Sequence, residues 1–280
     1  MTRPPAPGTP AARHTPPAPL RRRLRWAPVL VIVLVVAAAV SLTVKLTSHA
    51  SAPCQLSFVP AFFPPQDWAG SATGGRAPAV LILNPASGPG AAPDDAFRPA
   101  IRRATGSGTR VIGYIGTNYG QRPLAQAEQY VREYKQWYAV TGIFLDQTPT
   151  DGTAQLGYYR SLAGYIRHVV PGATIWLNPG VYPNRAYMSV GNVVMAFEGP
   201  FASYQDLRIP AWARHYSSHR FAHTVYATPG PAVDRAVRLA RQRNAGYLYL
   251  TDDVGANPYS ALPNYWAREQ AAVAGGCAQR

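Results

Sequence analysis

The chain has 280 residues, with 27 Lys or Arg against only 13 Asp or Glu, a formal charge of +14. Seven of the bases fall in positions 1–45, where there is no acid, so 20 bases meet all 13 acids over the remainder and leave it at +7. These arginines are scattered and carry no RNA- or DNA-binding motif, which argues against nucleic acid; a solvated basic surface, or contact with a polyanionic envelope or an acidic polysaccharide, accounts for the charge.

Residues 1–25 hold Arg3, Arg13, Arg21, Arg22, Arg23 and Arg25 among many prolines, a composition that builds no core and predicts a disordered tail. Residues 26–44, WAPVLVIVLVVAAAVSLTV, run for 19 positions without a charge. At about 1.5 Å per residue that length just spans a hydrocarbon core of roughly 30 Å. Arginines precede it and only Lys45 follows closely, so the positive-inside rule predicts a signal anchor in the cell membrane, with its N-terminus in the cytoplasm and the domain outside. The alternative is a cleaved signal peptide and secretion: Ala50-Ser51-Ala52 resembles a cleavage site, although Pro53 would follow the cut. Residues 45–55 read as a linker.

The two cysteines, Cys54 and Cys277, bracket the globular part. In an oxidising compartment one bridge between them would tie the chain ends together; two free thiols are the other reading. A loop this long contributes nominally about 5 kcal/mol in the chain-entropy model.

Residues 56–280 are enough for one large domain. Eight short runs rich in β-branched and aromatic residues recur along it: 56–63, 79–85, 110–117, 142–147, 174–180, 193–199, 221–228 and 247–253. Helical patterns separate several of them, at 94–104, 124–138, 156–169 and 232–243; the second carries apolar residues at 124, 127, 131, 134, 137 and 138, one face at helical spacing. The intervals after the first, fifth and sixth runs are short, so single turns are expected there. Eight strands alternating with helices predict an α/β fold, a (β/α)8 TIM-type barrel. A doubly wound open sheet is less attractive, because ASGPG at 86–90 does not match a phosphate-binding glycine fingerprint.

Polar residues gather at the ends of these runs, with no comparable convergence at their starts: Asn84, Tyr114 with Thr117, Asp146 with Gln147, Asn178, Glu198, Tyr226, and Asp252 with Asp253. That asymmetry points to a site on the C-terminal face of the barrel. Asp146 and Glu198 are the reactive candidates. At about 4.8 Å per strand, the ends of strands four and six lie roughly 9–10 Å apart, and inward-leaning side chains close most of that gap. A retaining glycosidase needs carboxyls about 5–5.5 Å apart and an inverting one roughly 6.5–9.5 Å; retention fits better, with Asp146 as nucleophile and Glu198 as general acid/base. The bland alternative for either acid is an ion pair with a barrel arginine. Asn84, Tyr114, Gln147, Asn178, Tyr226, Asp252, Asp253 and Trp266 are expected to bind substrate, with one of the two aspartates alternatively capping a helix that begins near Pro258. Tyr119, Tyr182, Phe201, Tyr204, Tyr226, Tyr259 and Trp266 fall on or near the same loops; any one of them is more often a packing residue than a ligand contact, but together such flat rings suit the C–H faces of sugars in an extended cleft. His215, His219 and His223 recur every four residues, but the last enters a strand, so no metal site is expected there. No Ser-His-Asp set has a credible context, and no cofactor is implied.

The ordered series LILNPASGPG, VIGYIGTNYGQRP, GIFLDQ, WLNPG, FEGPFASY and YLYLTDDVGANPYSALPNYW resembles the spherulation-specific family 4 (spherulin-4-like) proteins over most of 56–266. That family includes glycoside hydrolases of family 135. The resemblance implies a (β/α)8 fold and endo-acting cleavage of α-1,4-linked galactosamine or N-acetylgalactosamine polymers. It carries the Asp of the family's strand-four pair onto Asp146 and its strand-six acid onto Glu198. The second member of the strand-four pair, Glu in the characterised hydrolases, is Gln147 here, which can hydrogen-bond a sugar or orient Asp146 but cannot transfer a proton. The resulting expectation is a monomeric extracellular glycoside hydrolase acting on a polysaccharide, against the alternative of a catalytically weak glycan-binding barrel.

Overall fold

The computed structural model describes residues 54–72 and 76–275. Eight parallel strands close into a barrel in chain order: β1 Leu56–Ala61, β2 Val80–Leu83, β3 Arg110–Gly116, β4 Gly142–Asp146, β5 Thr174–Asn178, β6 Val193–Pro200, β7 Phe221–Tyr226 and β8 Tyr247–Leu250. Closure is by β1 against β8, where Leu56 pairs Tyr247 and Ser57 pairs Leu248. All eight predicted runs are strands, and helices lie between strands as a (β/α)8 barrel requires.

The α-helices are α1 Phe97–Gly106, α2 Leu124–Tyr138, α3 Leu156–Val169, α4 Phe201–Gln205, α5 Val233–Gln242 and α6 Trp266–Ala274. Helix α2 buries Ala127, Val131, Tyr134 and Tyr138, and α3 buries Leu156, Tyr159, Leu162, Ala163 and Ile166, each a single stripe. Helices α1, α2 and α3 lack a side-chain N-cap hydrogen bond. A cap is worth about 1 kcal/mol, whereas each large apolar side chain fully buried contributes about 1.5–3 kcal/mol. Packing against the barrel, not capping, therefore holds these helices. The stripe of α2 fits closely: a Cβ on Gly113 of β3 would stand 2.5 Å from the Tyr134 ring, so only glycine is accommodated there.

Helix α1 starts later than the pattern at 94–104 suggests, because Asp94 Oδ1 accepts the Ala96 N–H and the Tyr138 hydroxyl accepts the Asp94 N–H, which keeps 94–96 a turn. No helix begins near Pro258; α6 starts at Trp266. After β5 the connection holds one short turn of helix, Arg185–Ser189, as expected; after β1 the 3₁₀ helix Pro65–Ala72 is longer than a single turn, and after β6 three short pieces follow one another, α4, Ala211–His215 and Ser218–Arg220.

Inside the barrel the lower layer is aromatic. Phe58 lies 5.3 Å from Trp176 and 6.2 Å from Tyr249, ring centre to ring centre, and all three are fully buried. This plug leaves the polar residues only the upper, C-terminal end. Strand β6 adds a specific device: the register with β7 shifts between Met195 and Phe197. In a regular strand, Met195 and Glu198 would point to opposite faces. The bulge supplies one extra residue, so both face inward.

No helix among the described residues is long and apolar enough to cross a membrane. The span read at 26–44 lies outside the described residues, and so does Cys277, the expected partner of Cys54.

Candidate active site

Strand pairing puts Asp146 beside Gly116 on one side and Asn178 on the other, at the upper rim. Asn178 Nδ2 donates to Asp146 Oδ1 at 2.7 Å and to Glu198 Oε2 at 2.7 Å. Two such bonds from one nitrogen keep the nearer oxygens of the two carboxyls within twice 2.7 Å of each other, about 5.4 Å at most. Asn178 is itself fixed, since its Oδ1 accepts the Gly180 N–H at 3.0 Å, and the Gly180 carbonyl accepts the Glu198 N–H at 2.9 Å.

Each carboxyl has one further donor, a tyrosine. Tyr114 donates to Asp146 Oδ2 at 2.6 Å, and Tyr259 donates to Glu198 Oε1 at 2.6 Å. Phe62, at the end of β1, meets both tyrosines edge-on, with ring centres 5.6 and 5.9 Å away. Pro60, Phe144, Met195 and Thr224 complete the floor of a cavity of about 40 Å³. That is far below the roughly 300 Å³ of a pocket that engulfs a small molecule, so a ligand would lie across the mouth.

Neither acid is in an ion pair. Among the described residues the ion pairs are Arg98–Asp95 and Arg268–Asp234, both exposed. The ion-pair alternative for these two acids is thereby set aside: neutral donors hold them. Burial pushes the Glu198 carboxyl above the ordinary carboxylate range; the hydrogen bonds from Tyr259 and Asn178 pull it back, and the charge of Asp146 pushes it up again. Burial also raises the phenols of Tyr114 and Tyr259, helped in each case by the carboxylate it faces, so both remain protonated donors.

Of the expected site residues, the structure thus gathers Asp146, Glu198, Tyr114 and Asn178. Tyr226 ends β7 half-buried. Gln147 is exposed; its Oε1 accepts the Asn118 N–H at 3.1 Å, turned toward the β3–α2 loop. Asn84 Oδ1 accepts the Gly88 N–H and shapes its own loop. Asp253 does the same, accepting from the Val254 N–H and the Ser260 hydroxyl, while exposed Asp252 accepts from Asn264; neither caps a helix. Trp266 is a correction. It is 3% exposed and its indole N–H donates to the Ser71 carbonyl, so it is packed in the core and not on the cleft. Tyr204 and Phe201 are likewise buried, and Tyr182 packs against Trp212, Phe221 and His223. His219 bonds the Cys54 carbonyl, and His223 is buried between the hydroxyls of Tyr182 and Tyr204. Burial, then the Arg243 charge, pushes His223 down to about 3, so it is neutral.

Tyr259 is expected from sequence only as one of the rings near the cleft, not as the hydrogen-bond partner of Glu198. Only its place in the loop after the last strand hinted at it, because nothing in local spacing links positions 198 and 259.

The sequence profile of spherulation-specific family 4 matches residues 61–273. The chain belongs to this family. Spherulin-4 of Physarum polycephalum is 25% identical to it over 283 residues, covering 96% of this chain and 84% of that protein. Among solved structures, Aspergillus clavatus Sph3 in complex with GalNAc superposes with a TM-score of 0.72 at 21% identity, over 81% of this chain and all of that one. Active domain 2 of a thermostable chitinase from Pyrococcus furiosus, complexed with chito-oligosaccharides, gives 0.52 at 13% identity, over 83% of this chain and all of that one. At these identities the solved structures speak for the fold. Within spherulation-specific family 4, this barrel therefore shares its architecture with glycan-active proteins.

Proposed function

We propose that this protein is an extracellular, retaining, endo-acting glycoside hydrolase of α-1,4-linked galactosamine or N-acetylgalactosamine polysaccharide. The observation that carries the reading is the single Asn178 amide bonded to both Asp146 and Glu198. The nearer carboxyl oxygens, within about 5.4 Å of each other, support the spacing of a double displacement over the wider one of inversion. In the first step Asp146 attacks the anomeric carbon while Glu198 gives its proton to the departing oxygen. Burial of Glu198 keeps that proton available at higher pH than an exposed carboxyl would. In the second step Glu198 takes a proton from water, which displaces Asp146. Asn178 and Tyr114 hold the Asp146 oxygens in place and stabilise its charge as it leaves. The sugar class rests on the family, and Sph3 bound to GalNAc supports it. Placement outside the cell, a membrane anchor at 26–44 or secretion, a Cys54–Cys277 bridge and a monomeric barrel complete the proposal.

A second reading, a glycan-binding barrel of weak or no activity, is favoured by one residue: Gln147 stands where the characterised hydrolases have a second acid. Incubation with α-1,4-linked galactosaminoglycan oligomers separates the two. Shorter products from the wild type, lost in Asp146→Asn and Glu198→Gln, support the hydrolase; binding without products supports the second reading.

A further inference from the structure

Among the described residues, three large apolar side chains are notably exposed, Tyr119, Val181 and Val254, and all three stand on loops that follow strand C-terminal ends. Tyr119 is the aromatic one, at 53% exposure, on the β3–α2 loop beside Asp146. The loop is not loose. Asn118, Tyr119 and Gly120 are successive left-handed residues, with φ of 48°, 56° and 81°. Two non-glycine residues in that region persist only where their surroundings over-determine them.

Beside the loop's own backbone bonds from Gly120, Gln121 and Arg122, Gln147 ties two of these residues to the end of β4. Its carbonyl accepts the Tyr119 N–H at 2.9 Å and its side-chain Oε1 accepts the Asn118 N–H at 3.1 Å. Gln147 is left-handed as well, with φ of 56°, which turns its side chain toward this loop immediately after Asp146. Thr117 completes the tie, its N–H and hydroxyl both donating to the Asp146 carbonyl. A Cβ built on Gly116 would stand 3.4 Å from the Tyr114 hydroxyl and 3.5 Å from Gln147 Oε1, so the clamp and the hydroxyl that touches Asp146 flank one point.

We propose that Tyr119 is the stacking platform of a second sugar subsite on the rim outside the cavity over Asp146, and that Gln147 is its positioning residue. This deepens the glycan reading above and rests on it. The cavity over the acids is too small to enclose a ring, so a polymer crosses the rim, where an exposed ring on a tied backbone meets the C–H face of a neighbouring sugar. The clamp needs an acceptor oxygen at position 147, because its partner is a backbone N–H. Glutamine and glutamate both supply one; an acid is not required for this task.

The test uses the full chain with α-1,4-linked N-acetylgalactosamine oligomers of increasing length. Tyr119→Ala raises KM about tenfold, a loss of about 1.4 kcal/mol in binding, for oligomers long enough to reach the platform and leaves kcat within about twofold; Tyr119→Trp recovers the affinity. Gln147→Leu raises KM to the same extent, Gln147→Glu recovers it, and the double variant Gln147→Leu/Tyr119→Ala is no weaker than either alone. Independently of any ligand, the Asn118 amide exchanges its hydrogen faster in Gln147→Leu than in the wild type or Gln147→Glu. If the oligomers bind but are not cut, calorimetric Kd values replace KM, so failure of hydrolysis does not stand in for failure of the subsite. Three results overturn the proposal: affinity unchanged in Tyr119→Ala at every length, Gln147→Leu lowering kcat at constant KM with unchanged Asn118 exchange, or no binding by the wild type.

Discussion

Tyr259 donates its phenolic proton to Glu198 across 61 residues of sequence, at 2.6 Å, and so ties the loop after the last strand to the acid at the end of the sixth. The bond favours the ionised form of Glu198 against the burial that opposes it. In Tyr259→Phe that counterweight is gone, and the Glu198 carboxyl moves further up. Glu198 then keeps its proton to higher pH, so the alkaline limb of kcat/KM shifts to higher pH. A hydrogen bond to a charged group is worth about 1.5–3 kcal/mol, so kcat/KM near the optimum falls about tenfold to a hundredfold. A pH–rate profile with an unmoved or lowered alkaline limb contradicts this role.

Asn178 is the neutral spacer between two acids. Asn178→Asp puts a third carboxyl within hydrogen-bond distance of both, and like charges so close cannot all ionise. The expected result is a loss of at least about a hundredfold in kcat/KM. Stability should respond with a definite sign. Carboxyls raised in the folded state bind more protons folded than unfolded, so their ionisation removes stability as pH rises from the unfolded range through the folded one. Melting temperatures should therefore drop further below wild type at pH 8 than at pH 5; an equal drop at both rejects the charge argument.

Glu269 on α6 gives a second linkage test, away from the site. It is fully buried, and its Oε1 accepts the Leu250 N–H at 2.9 Å, a strand-end donor that the short β1–β8 ladder leaves unpaired. Burial pushes its carboxyl well above the ordinary range, and the Leu250 bond only partly offsets this. The same sign applies: stability is full below about pH 4.3, the unfolded value, and declines as pH rises toward the folded one. Glu269→Gln keeps an acceptor for Leu250 and removes the titration. Thermal melts from pH 5 to 9 should show the variant gaining on the wild type as pH rises; parallel curves rule it out.

Much of this is legible in the sequence. The eight strands declared themselves through short β-branched and aromatic runs, and the one-sided polar ends placed Asp146, Asn178 and Glu198 on a common rim. What stayed hidden is non-local or one residue wide. The β6 bulge that turns Met195 and Glu198 to the same side has no pattern of its own. Tyr259 reaches Glu198 only because β8 returns the chain to β1. Trp266 looked like a sugar platform because composition cannot tell an aromatic on a rim from one whose N–H is spent on a core carbonyl. Gln147 looked like a lost acid, and its left-handed backbone, invisible in sequence, is what turns it to the Asn118 loop.

The central claim is that Asp146 and Glu198 cleave a glycosidic bond by double displacement. Proton NMR of the first products released from an α-1,4-linked N-acetylgalactosamine oligomer reads it directly, before mutarotation mixes the anomers. The account predicts that new reducing ends appear first as the α anomer, and that none appear with Asp146→Asn. Initial release of the β anomer, or products undiminished in Asp146→Asn, would contradict it.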